Sequence, residues 1–347
     1  MNPHAPRAAA TRVLTRGDVA ALMSPQDYLD AVRDGFAALA QGHAVAPEPL
    51  HVASEHGGFH AKAASYSSVL NKPARSFVAL KFNANMPGNG AMFGLPTIQG
   101  ALLLCNSDNG QLLAVMDSTE LTLRRTAAAT ALAAQHLARP DAATLAVCGC
   151  GAQALPQVEA LLQVLPLRRI RLWDIDSAKS HALRDVLVAR GGLDVAAAAS
   201  VREATGEADV IVTCTVSRTA WLSRDDVRPG TFIAAVGADS PSKSEVAPGL
   251  MAAAKVVVDS IAQCAVMGDL HHAVAAGAMR ADQVHAELGQ LVLGTRPGRS
   301  ARDEICIFDS TGVAVQDAAS AAMVYARANE RGVGALIDFA GDGPAPT

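Results

Sequence analysis

The pattern of apolar and polar positions changes near residue 140. Upstream of this point, apolar residues alternate with polar ones in short runs, as in strands that are buried on one face. Five such runs are present, near 50–53, 58–65, 76–83, 98–105 and 111–116. Asn109-Gly110 separates the last two runs and is a hairpin turn signal. We therefore expect an antiparallel sheet in this half of the chain.

Two helices accompany these runs. Ser24 is placed to cap the first helix, with Pro25 at the first helical position, where a missing N–H costs nothing. The second helix is longer: it begins at Asp117 or Ser118 and ends before Pro140. A hinge is expected near residues 138–142.

Downstream of Pro140, short apolar strands alternate with helices, which is the pattern of a parallel doubly wound sheet. The six candidate strands are 144–149, 169–174, 209–214, 231–236, 255–259 and 305–309. A last helix, from about Gln316 to Asn329, is long enough to return to the first domain. The fold class is therefore α/β with two domains, as expected for 347 residues.

Composition narrows the functional class. Half of the residues are hydrophobic and 18% are charged, which is typical of a globular chain. Aromatic residues make up 4%, the formal net charge is −4, and lysines and arginines do not cluster. Nucleic-acid binding is disfavoured by all three features, and a small-molecule partner is favoured.

The cysteines and the apolar segments indicate where in the cell the protein is located. The six cysteines lie in apolar runs without the spacing of zinc ligands, so we expect free thiols, a reducing compartment and no metal site. No apolar stretch reaches the roughly 20 residues of a membrane helix, and the N-terminus lacks a signal peptide's apolar core. A soluble cytoplasmic protein is expected, with residues 1 to about 12 disordered.

A glycine-rich turn gives the clearest sign of a cofactor. The strand 145–148 runs directly into Gly149-Cys-Gly151-Ala-Gln-Ala154, and a helix follows. Gly149 makes a tight turn, Gly151 lets the backbone approach a pyrophosphate, and Ala154 allows close packing of helix on strand. Asp174, at the end of the next strand and 23 residues after Gly151, can accept the ribose hydroxyls and would repel a 2′-phosphate. The turn predicts NAD rather than NADP, the alternative being a glycine turn in an unrelated α/β sheet.

Two lysines lie inside apolar strands of the first domain. Lys81 is the single charge in the run 76–82, which leads into a polar loop. A buried lysine is costly unless it is paired, so Lys81 suggests either a carboxylate ligand or a proton donor. Lys62 raises the same question more weakly. A lysine that extends along the strand end to water is the alternative.

Arg124 and Arg125 are adjacent on the long helix. Successive helical positions lie about 100° apart, so both cannot face inward. An arginine on a face otherwise lined with alanine has room to bind a planar anion through two hydrogen bonds. Ordinary surface charges are the alternative.

Polar residues follow the strands of the second domain at the edge where open α/β sheets bind ligands. Asp239 comes shortly after strand 231–236 and could relay protons beside a nicotinamide, or act only as a loop or capping residue. Thr215 and the segment 310–312 occupy the same edge. His271 and His272 lack acidic partners at metal-ligand spacing.

These residues together resemble the ornithine cyclodeaminase and mu-crystallin family, from about Leu22 to Tyr325. The likeness rests on six spaced signatures: Leu80-Lys81 with Pro87-Gly-Asn89, Gly94-Leu-Pro-Thr97, Leu121-Thr with Arg125-Thr126-Ala-Ala, Gly149-Cys-Gly-Ala-Gln153, Val236-Gly-Ala-Asp239 with Lys243, and Phe308-Asp-Ser-Thr-Gly312 with Gln316-Asp317. The resemblance implies a homodimer. It also implies a substrate-binding and dimerisation domain, residues 1–138 completed by 316–347, and a central Rossmann NAD-binding domain, residues 139–315.

The resemblance also implies residue roles. Lys81 and Arg125 would hold the substrate carboxylate, with Lys81 counted among the catalytic groups, and Asp239 would donate and accept the proton. Thr311 and Lys62 would contact substrate. NAD would be contacted by Thr97, Arg125, Thr126, Gly149, Gly151, Ala152, Gln153, Asp174, Thr215, Val236, Lys243 and Ser310. The shared chemistry is hydride transfer at a substrate α-carbon.

The sequence departs from the cyclodeaminases in two places. Pro47-Glu48-Pro49 stands where they carry an arginine after a proline, and Phe59-His60-Ala61-Lys62 stands where they carry the glutamate that meets ornithine's side-chain amine. A cation in that place would repel an ammonium group. The substrate is therefore expected to be small or to carry a second anionic group.

Three functions are compatible with this pattern. The first is an NAD-dependent amino-acid dehydrogenase or imine (ketimine) reductase. The second is a lyase that uses NAD catalytically to cyclise a diamino acid with release of ammonia. The third is a non-catalytic ligand-binding protein like mu-crystallin, which retention of Lys81, Arg125 and Asp239 disfavours.

Overall fold

The structure, a computed structural model, describes residues 10–70 and 75–339. The chain divides into two units, the first made of Met1–Thr122 with Ala314–Thr347 and the second of Leu123–Val313. The sequence predicts a boundary near residue 138, at the end of the long helix, whereas the two units divide inside that helix. The helix begins in the first unit because its first residue, Ser118, hydrogen-bonds to Asn83 there.

The first unit is built on an eight-stranded sheet. Its strands are β1 (Thr11–Leu14), β2 (Ala44–Val45), β3 (Leu50–Ser54), β4 (Gly57–Ser67), β5 (Ser76–Asn85), β6 (Ile98–Asn106), β7 (Leu112–Asp117) and β16 (Ala335–Ile337). The order is β16-β1-β7-β6-β5-β4-β2, with β3 also paired to β4. The predicted antiparallel sheet is confirmed from β3 to β7, while β1 runs parallel to β7.

The helices of this unit follow the capping signals of the sequence. They are α1 (Arg16–Leu22), α2 (Pro25–Ala40), α3 (Asn89–Phe93), the start of α4 (Ser118–Leu137), and α12 (Ala314–Arg331). Ser24 caps α2 in a capping box with Asp27, and Asp117 accepts a hydrogen bond from the backbone N–H of Glu120 at the start of α4. Both predicted helix starts are therefore confirmed.

The second unit contains a sheet in which all pairings are parallel. Its strands are β8 (Thr144–Cys148), β9 (Arg169–Trp173), β10 (Asp194–Ala197), β11 (Val210–Thr213), β12 (Phe232–Ala235), β13 (Lys255–Val258), β14 (Ala286–Glu287) and β15 (Cys306–Asp309). The order is β10-β9-β8-β11-β12-β15-β13-β14. This is the predicted doubly wound sheet.

Helices connect these strands. They are α5 (Ala154–Leu162), α6 (Ser177–Arg190), α7 (Val201–Thr205), α8 (Pro248–Ala252), α9 (Ile261–Cys264), α10 (Asp269–Ala275) and α11 (Leu288–Val292). Every residue of β8, β11, β12 and β15 is buried, so the central strands form the core of the unit.

The N-terminal segment forms a strand where the sequence predicts disorder up to about residue 12. Residues 1–9 lie outside the described part, but Thr11 and Arg12 are buried in β1. Arg12 donates hydrogen bonds to the side chain of Asn329 and to the carbonyl of Val333. A polar, arginine-bearing start therefore forms a strand because its partners come from the far end of the chain.

Candidate active site

The glycine turn joins β8 to α5 and leaves the backbone open at one point. Gly149 has φ of 98°, and a Cβ at this residue would lie 2.7 Å from the carbonyl oxygen of Cys214. At Gly151 a Cβ would meet no atom within 4 Å. Position 149 therefore requires glycine for the turn itself, whereas Gly151 is exposed and free to lie against a ligand.

The first turn of α5 offers groups for an anion and a polar ligand. Helix N-termini attract phosphates through their unbonded N–H groups. Ala152 is exposed, and the buried Oε1 of Gln153 has no hydrogen-bond partner among the described residues. A bound ligand or water would satisfy this orphaned acceptor, so the turn fits a dinucleotide.

Asp174 lies at the carboxyl end of β9, beside the glycine turn. Its Oδ2 accepts a hydrogen bond of 2.7 Å from the N–H of Cys150, and its Oδ1 accepts one of 2.9 Å from the N–H of Asp176. Each oxygen keeps a lone pair for a further hydroxyl, which suits a ribose. Burial, and then the charge of Asp174, raises the pKa of the Cys150 thiol to about 12, so this thiol stays protonated.

Asp239 follows β12 and reaches solvent. Its side chain is 55% exposed and forms a 2.6 Å ion pair with Lys243. The carbonyl of Lys243 accepts a 2.8 Å hydrogen bond from Nε2 of His272. The pair fixes the orientation of an accessible carboxylate, which is the geometry that a proton relay requires.

Glu245 is a buried residue that the sequence analysis missed. Its Oε1 accepts hydrogen bonds from the N–H and the hydroxyl of Thr215, at 2.7 and 2.6 Å. Its Oε2 accepts from the hydroxyl of Thr213 at 2.7 Å and from the N–H of Gly237 at 2.9 Å. Burial, and then the charge of Asp269, raises the pKa of Glu245 to about 7. This carboxyl group therefore ties together the segments that follow β11 and β12.

Asp259, the residue after β13, likewise holds a loop in place through hydrogen bonds. It is fully buried and accepts hydrogen bonds from the N–H of Gly312 at 2.6 Å, the hydroxyl of Thr311 at 3.0 Å and the hydroxyl of Ser310 at 3.3 Å. The Thr311 hydroxyl also accepts from the side chain of Gln263 at 2.8 Å. Asp259 therefore orders the loop 310–312.

Asp309, the last residue of β15, is also buried. It accepts hydrogen bonds from the N–H groups of Asp269 and Leu270, and burial, followed by the charge of Asp269, holds its pKa well above the usual value. A signal for these missed carboxyl groups exists in the sequence, since Asp259 and Asp309 follow or end buried strands. Their partners, however, lie dozens of residues away.

The two adjacent arginines have different environments, as predicted. Arg125 is 4% exposed, and its guanidinium lies so close to Gly312 that a Cβ there would be 2.9 Å from Nη1. Gly312 also has φ of 79°, so glycine is required at this position. Arg124 is one-third exposed and ion-paired with Glu159.

Lys81 is buried in the first unit and paired with a residue that the sequence analysis had quoted only as part of a signature. Its Nζ lies 2.8 Å from Oδ2 of Asp317 on α12, and both side chains are at most 6% exposed. It also donates to the hydroxyl of Thr122 at 3.3 Å. Lys62 lies directly opposite Lys81 in the β4–β5 register, so the two lysines share one face of the sheet.

The remaining predicted residues are divided between the units. Thr97 is exposed in the loop before β6 in the first unit, and its carbonyl accepts a 2.8 Å hydrogen bond from the N–H of Met86. Thr126 and Val236 are buried in the second unit. The structure thus brings Asp174 to the glycine turn, Thr215 to Glu245, and Ser310 and Thr311 to Asp259, all within one unit.

Three further properties concern metal ligands, membrane-spanning helices and thiols. Among the described residues, no group of three or more His, Cys, Asp or Glu side chains is arranged to hold a metal ion. In the same part of the chain, none of the helices has the length and apolar character needed to cross a bilayer. All six cysteines are free thiols; Cys105 and Cys214 are only partly buried.

Comparison with known proteins gives consistent matches along almost the whole chain. A family model described as the ornithine cyclodeaminase/mu-crystallin family matches residues 9–332. An alanine dehydrogenase of Archaeoglobus fulgidus is 35% identical over 329 residues, which is 95% of this chain and 98% of that protein.

Solved structures agree. An archaeal alanine dehydrogenase dimer with bound NAD has a TM-score of 0.89 and 35% identity, with 95% of this chain and 99% of that chain covered. An iminosuccinate reductase of Paracoccus denitrificans in complex with NAD+ has a TM-score of 0.86 and 31% identity, with 95% of this chain and 100% of that chain covered.

Proposed function

The chain belongs to the ornithine cyclodeaminase/mu-crystallin family, and we propose that it is an NAD-dependent amino-acid dehydrogenase or imine reductase. Relatives of similar length carry out this type of chemistry: they include an alanine dehydrogenase and an iminosuccinate reductase. Their NAD-bound structures support NAD as the cofactor of this chain.

One observation carries the choice of a reductase over a cyclodeaminase. Lys62 lies opposite the buried Lys81 on one face of the sheet, at the place where the family resemblance puts the cyclodeaminases' glutamate. A diamino acid would bring its ammonium group against this cation. In a closed site, like charges repel by several kcal/mol at about 4 Å with an effective dielectric constant near 20.

Lys81 and Arg125 are proposed to bind the substrate carboxylate. Lys81 is held in place by Asp317 and Thr122, and Arg125 follows Thr122 by one turn of α4. Two fixed donors orient the α-carbon and remove the entropic cost of alignment from the chemical step.

Asp239 is proposed as the proton relay. NAD, when bound, would supply or accept a hydride at the α-carbon of the substrate. Asp239 would then protonate the substrate nitrogen or remove its proton, because it is the exposed carboxylate at the end of β12 and Lys243 fixes its direction. Asp174 would hold the ribose, and its charge supports NAD over NADP.

The proposal is tested by a panel of amino acids, and of 2-oxo acids with ammonia or amines, with each nicotinamide cofactor. We expect stoichiometric formation of NADH with an amino acid and its oxidation with the corresponding imine. Ornithine converted to proline, with ammonia released and no net NADH, would instead identify a cyclodeaminase.

Asp239→Asn is the matching variant. We expect kcat to fall by about 10²–10⁴-fold while NADH binding is retained, because the amide cannot relay a proton. Fluorescence titration of NADH and steady-state rates measure the two quantities. Unchanged turnover would remove Asp239 from the mechanism, and no turnover in wild type with intact binding would favour a ligand-binding protein.

A homodimer is part of the proposal. The face of the first unit's sheet opposite Lys81 exposes Val78, Leu80 and Phe82 of β5 and Leu50 and Val52 of β3, which are 38–62% exposed in the single chain. Exposed apolar faces of this kind mark protein interfaces. The related alanine dehydrogenase is a dimer. Six free thiols support a reducing compartment, and we propose the cytoplasm.

A further inference from the structure

The sheet face that carries Lys81 holds further hydrogen-bond donors beyond it. Lys62 is opposite Lys81, and one step along the same face His60 is opposite Asn83. His51 of β3 is opposite His60. Residues two apart on a strand lie about 7 Å apart on one face, so these side chains surround one small patch. We call Lys62, His60, His51 and Asn83 the donor patch.

The two imidazoles of the donor patch are held against each other. Their Nδ1 atoms are 3.4 Å apart and the ring centroids 4.5 Å apart. A Cβ at Gly58 would lie 2.6 Å from Cε1 of His51, so glycine at this position lets the ring lie against β4. Imidazole donates N–H hydrogen bonds to carboxylates whether neutral or charged.

The side chain of Asn83 is also fixed. Its Oδ1 accepts a 2.5 Å hydrogen bond from the hydroxyl of Ser118, at the start of α4. Gly100 lies opposite Asn83 on β6 and leaves the room that this side chain fills. With Oδ1 engaged, the Nδ2 hydrogens are the part of the amide left to meet a ligand.

Charge decides which ligand suits this patch. Lys81 is paired with Asp317 at 2.8 Å, and Lys62 brings a second ammonium group to the same face of the sheet. Lys62, the imidazole N–H groups and the amide of Asn83 all donate hydrogen bonds, and a carboxylate accepts several at once. The patch thus has the composition of a carboxylate site next to Lys81.

We propose that the donor patch binds a second carboxylate, so that the substrate is an amino or imino dicarboxylic acid rather than an alkyl or basic amino acid. This inference rests on the proposed function, since Lys81 takes the α-carboxylate. Neighbouring register positions place the two carboxylate sites one step apart, which matches a short dicarboxylic side chain.

The first experiment compares L-aspartate, L-glutamate, L-asparagine and L-alanine as substrates of the wild-type enzyme with NAD. Asparagine has the shape of aspartate without its side-chain charge. We expect kcat/KM for one of the two dicarboxylates to exceed that for asparagine and alanine by 10-fold or more, as a charge-assisted hydrogen bond predicts. Equal or better use of alanine or asparagine would overturn the dicarboxylate proposal and leave the dehydrogenase proposal standing.

Variants of Lys62 then test whether this residue causes the preference for dicarboxylates. Lys62→Met should lower the preference for the dicarboxylate over alanine by about 10-fold or more, whereas Lys62→Arg should keep most of it. Lys179→Met, which removes an exposed lysine on α6, is the control for net charge and should leave the preference unchanged. A preference that survives in Lys62→Met would overturn the assignment.

A binding measurement works even if no amino acid is turned over. Calorimetric titration of succinate and of butyramide into the enzyme loaded with NADH should show binding of succinate alone, weakened 10-fold or more by Lys62→Met. Absence of succinate binding in wild type would overturn the donor patch. Succinate binding without any turnover would support the patch while refuting the proposed function.

Discussion

At the scale of single residues, Glu245 gives a test that does not depend on substrate. The pKa of this carboxyl is about 7 in the folded chain and 4.5 in its ordinary state. Between these values the unfolded chain loses a proton that the folded chain keeps, so folding stability falls as pH rises through this window, by on the order of 3 kcal/mol. Asp269 and Asp309, whose pKa values are also raised, act in the same direction.

Glu245→Gln should remove this part of the pH dependence. The amide has one acceptor oxygen instead of two, so it cannot accept from Thr215 on one side and from Thr213 and Gly237 on the other. The variant should therefore be about 1–3 kcal/mol less stable near pH 4.5. The gap should close or reverse towards pH 8, where wild type has lost on the order of 3 kcal/mol of its own. Thermal unfolding from pH 4.5 to 8 measures both; parallel profiles of variant and wild type would show that Glu245 has an ordinary pKa.

Asp174 provides a second test at this scale. Asp174→Asn should shift the kcat/KM ratio of NADH to NADPH towards NADPH by about 10-fold, because it removes the charge that repels a 2′-phosphate. Asp176→Asn is the matched control, since Asp176 caps α6 two residues later and should not affect cofactor choice. An unchanged ratio in Asp174→Asn would place the discrimination elsewhere.

The sequence predicts some residues of this site and hides others for a physical reason. Gly149, Gly151 and Asp174 are recognisable because turn geometry fixes their spacing in the chain. Glu245 and Asp259 are not, because most of their hydrogen-bond partners lie about 30 and 50 residues away and only the sheet brings them together. The ion-pair partner of Lys81 could not be predicted for the same reason, because Asp317 lies far along the chain in the last helix.

At the scale of secondary-structure elements, α2 and α12 pack closely at Gly35. A Cβ at Gly35 of α2 would lie 3.1 Å from Cβ of Ala319 and 3.2 Å from the carbonyl oxygen of Val315. Gly35→Val should therefore push α12 away, destabilise the protein by about 1–3 kcal/mol and raise KM, since α12 carries Asp317.

Gly17→Ala is the control for this variant. Gly17 lies in α1 of the same unit, and the atom nearest to its Cβ position, Oγ1 of Thr15, is 3.9 Å away. The change should leave KM unchanged and stabilise the helix slightly, by up to about 1 kcal/mol. Thermal unfolding and steady-state kinetics measure both variants; wild-type KM in a destabilised Gly35→Val would show that α12 does not position Lys81.

Element prediction succeeded where a local pattern is complete. The strands β3 to β7 alternate, α2 has its full capping box, and the central strands of the second unit are continuously apolar. The strands β1, β2, β10, β14 and β16 were not predicted, because they have two to four residues and are too short to show an alternating pattern. The helix α1, which has seven residues, was not predicted either.

At the scale of the whole molecule, the first unit depends on both ends of the chain. β16 pairs with β1, and Arg327 of α12 pairs with Asp27 of α2. The return of the last helix to the first domain was predictable from its length alone. The contacts of this helix could not be predicted, because they join residues 300 positions apart in the chain.

The proposed homodimer gives the last prediction. The exposed face of β3 and β5 includes Leu80 and Phe82, and Phe59 stacks on Phe82 at 5.4 Å between ring centroids. Phe82→Lys places a charge in the middle of this face, where a partner subunit would have to desolvate it at a cost of several kcal/mol. We therefore expect this variant to be monomeric in analytical ultracentrifugation at micromolar concentration, and we expect wild type to sediment as a dimer.

Val188→Lys is the matched control for Phe82→Lys. Val188 is 53% exposed on α6 of the second unit, so the same charge enters a different apolar surface position. This variant should sediment like wild type. If Phe82→Lys remains dimeric, or if Val188→Lys dissociates instead, the proposed face is wrong. Since Lys81 follows Leu80 on the opposite face of β5, loss of the dimer should also raise KM by loosening the strand that holds the substrate carboxylate.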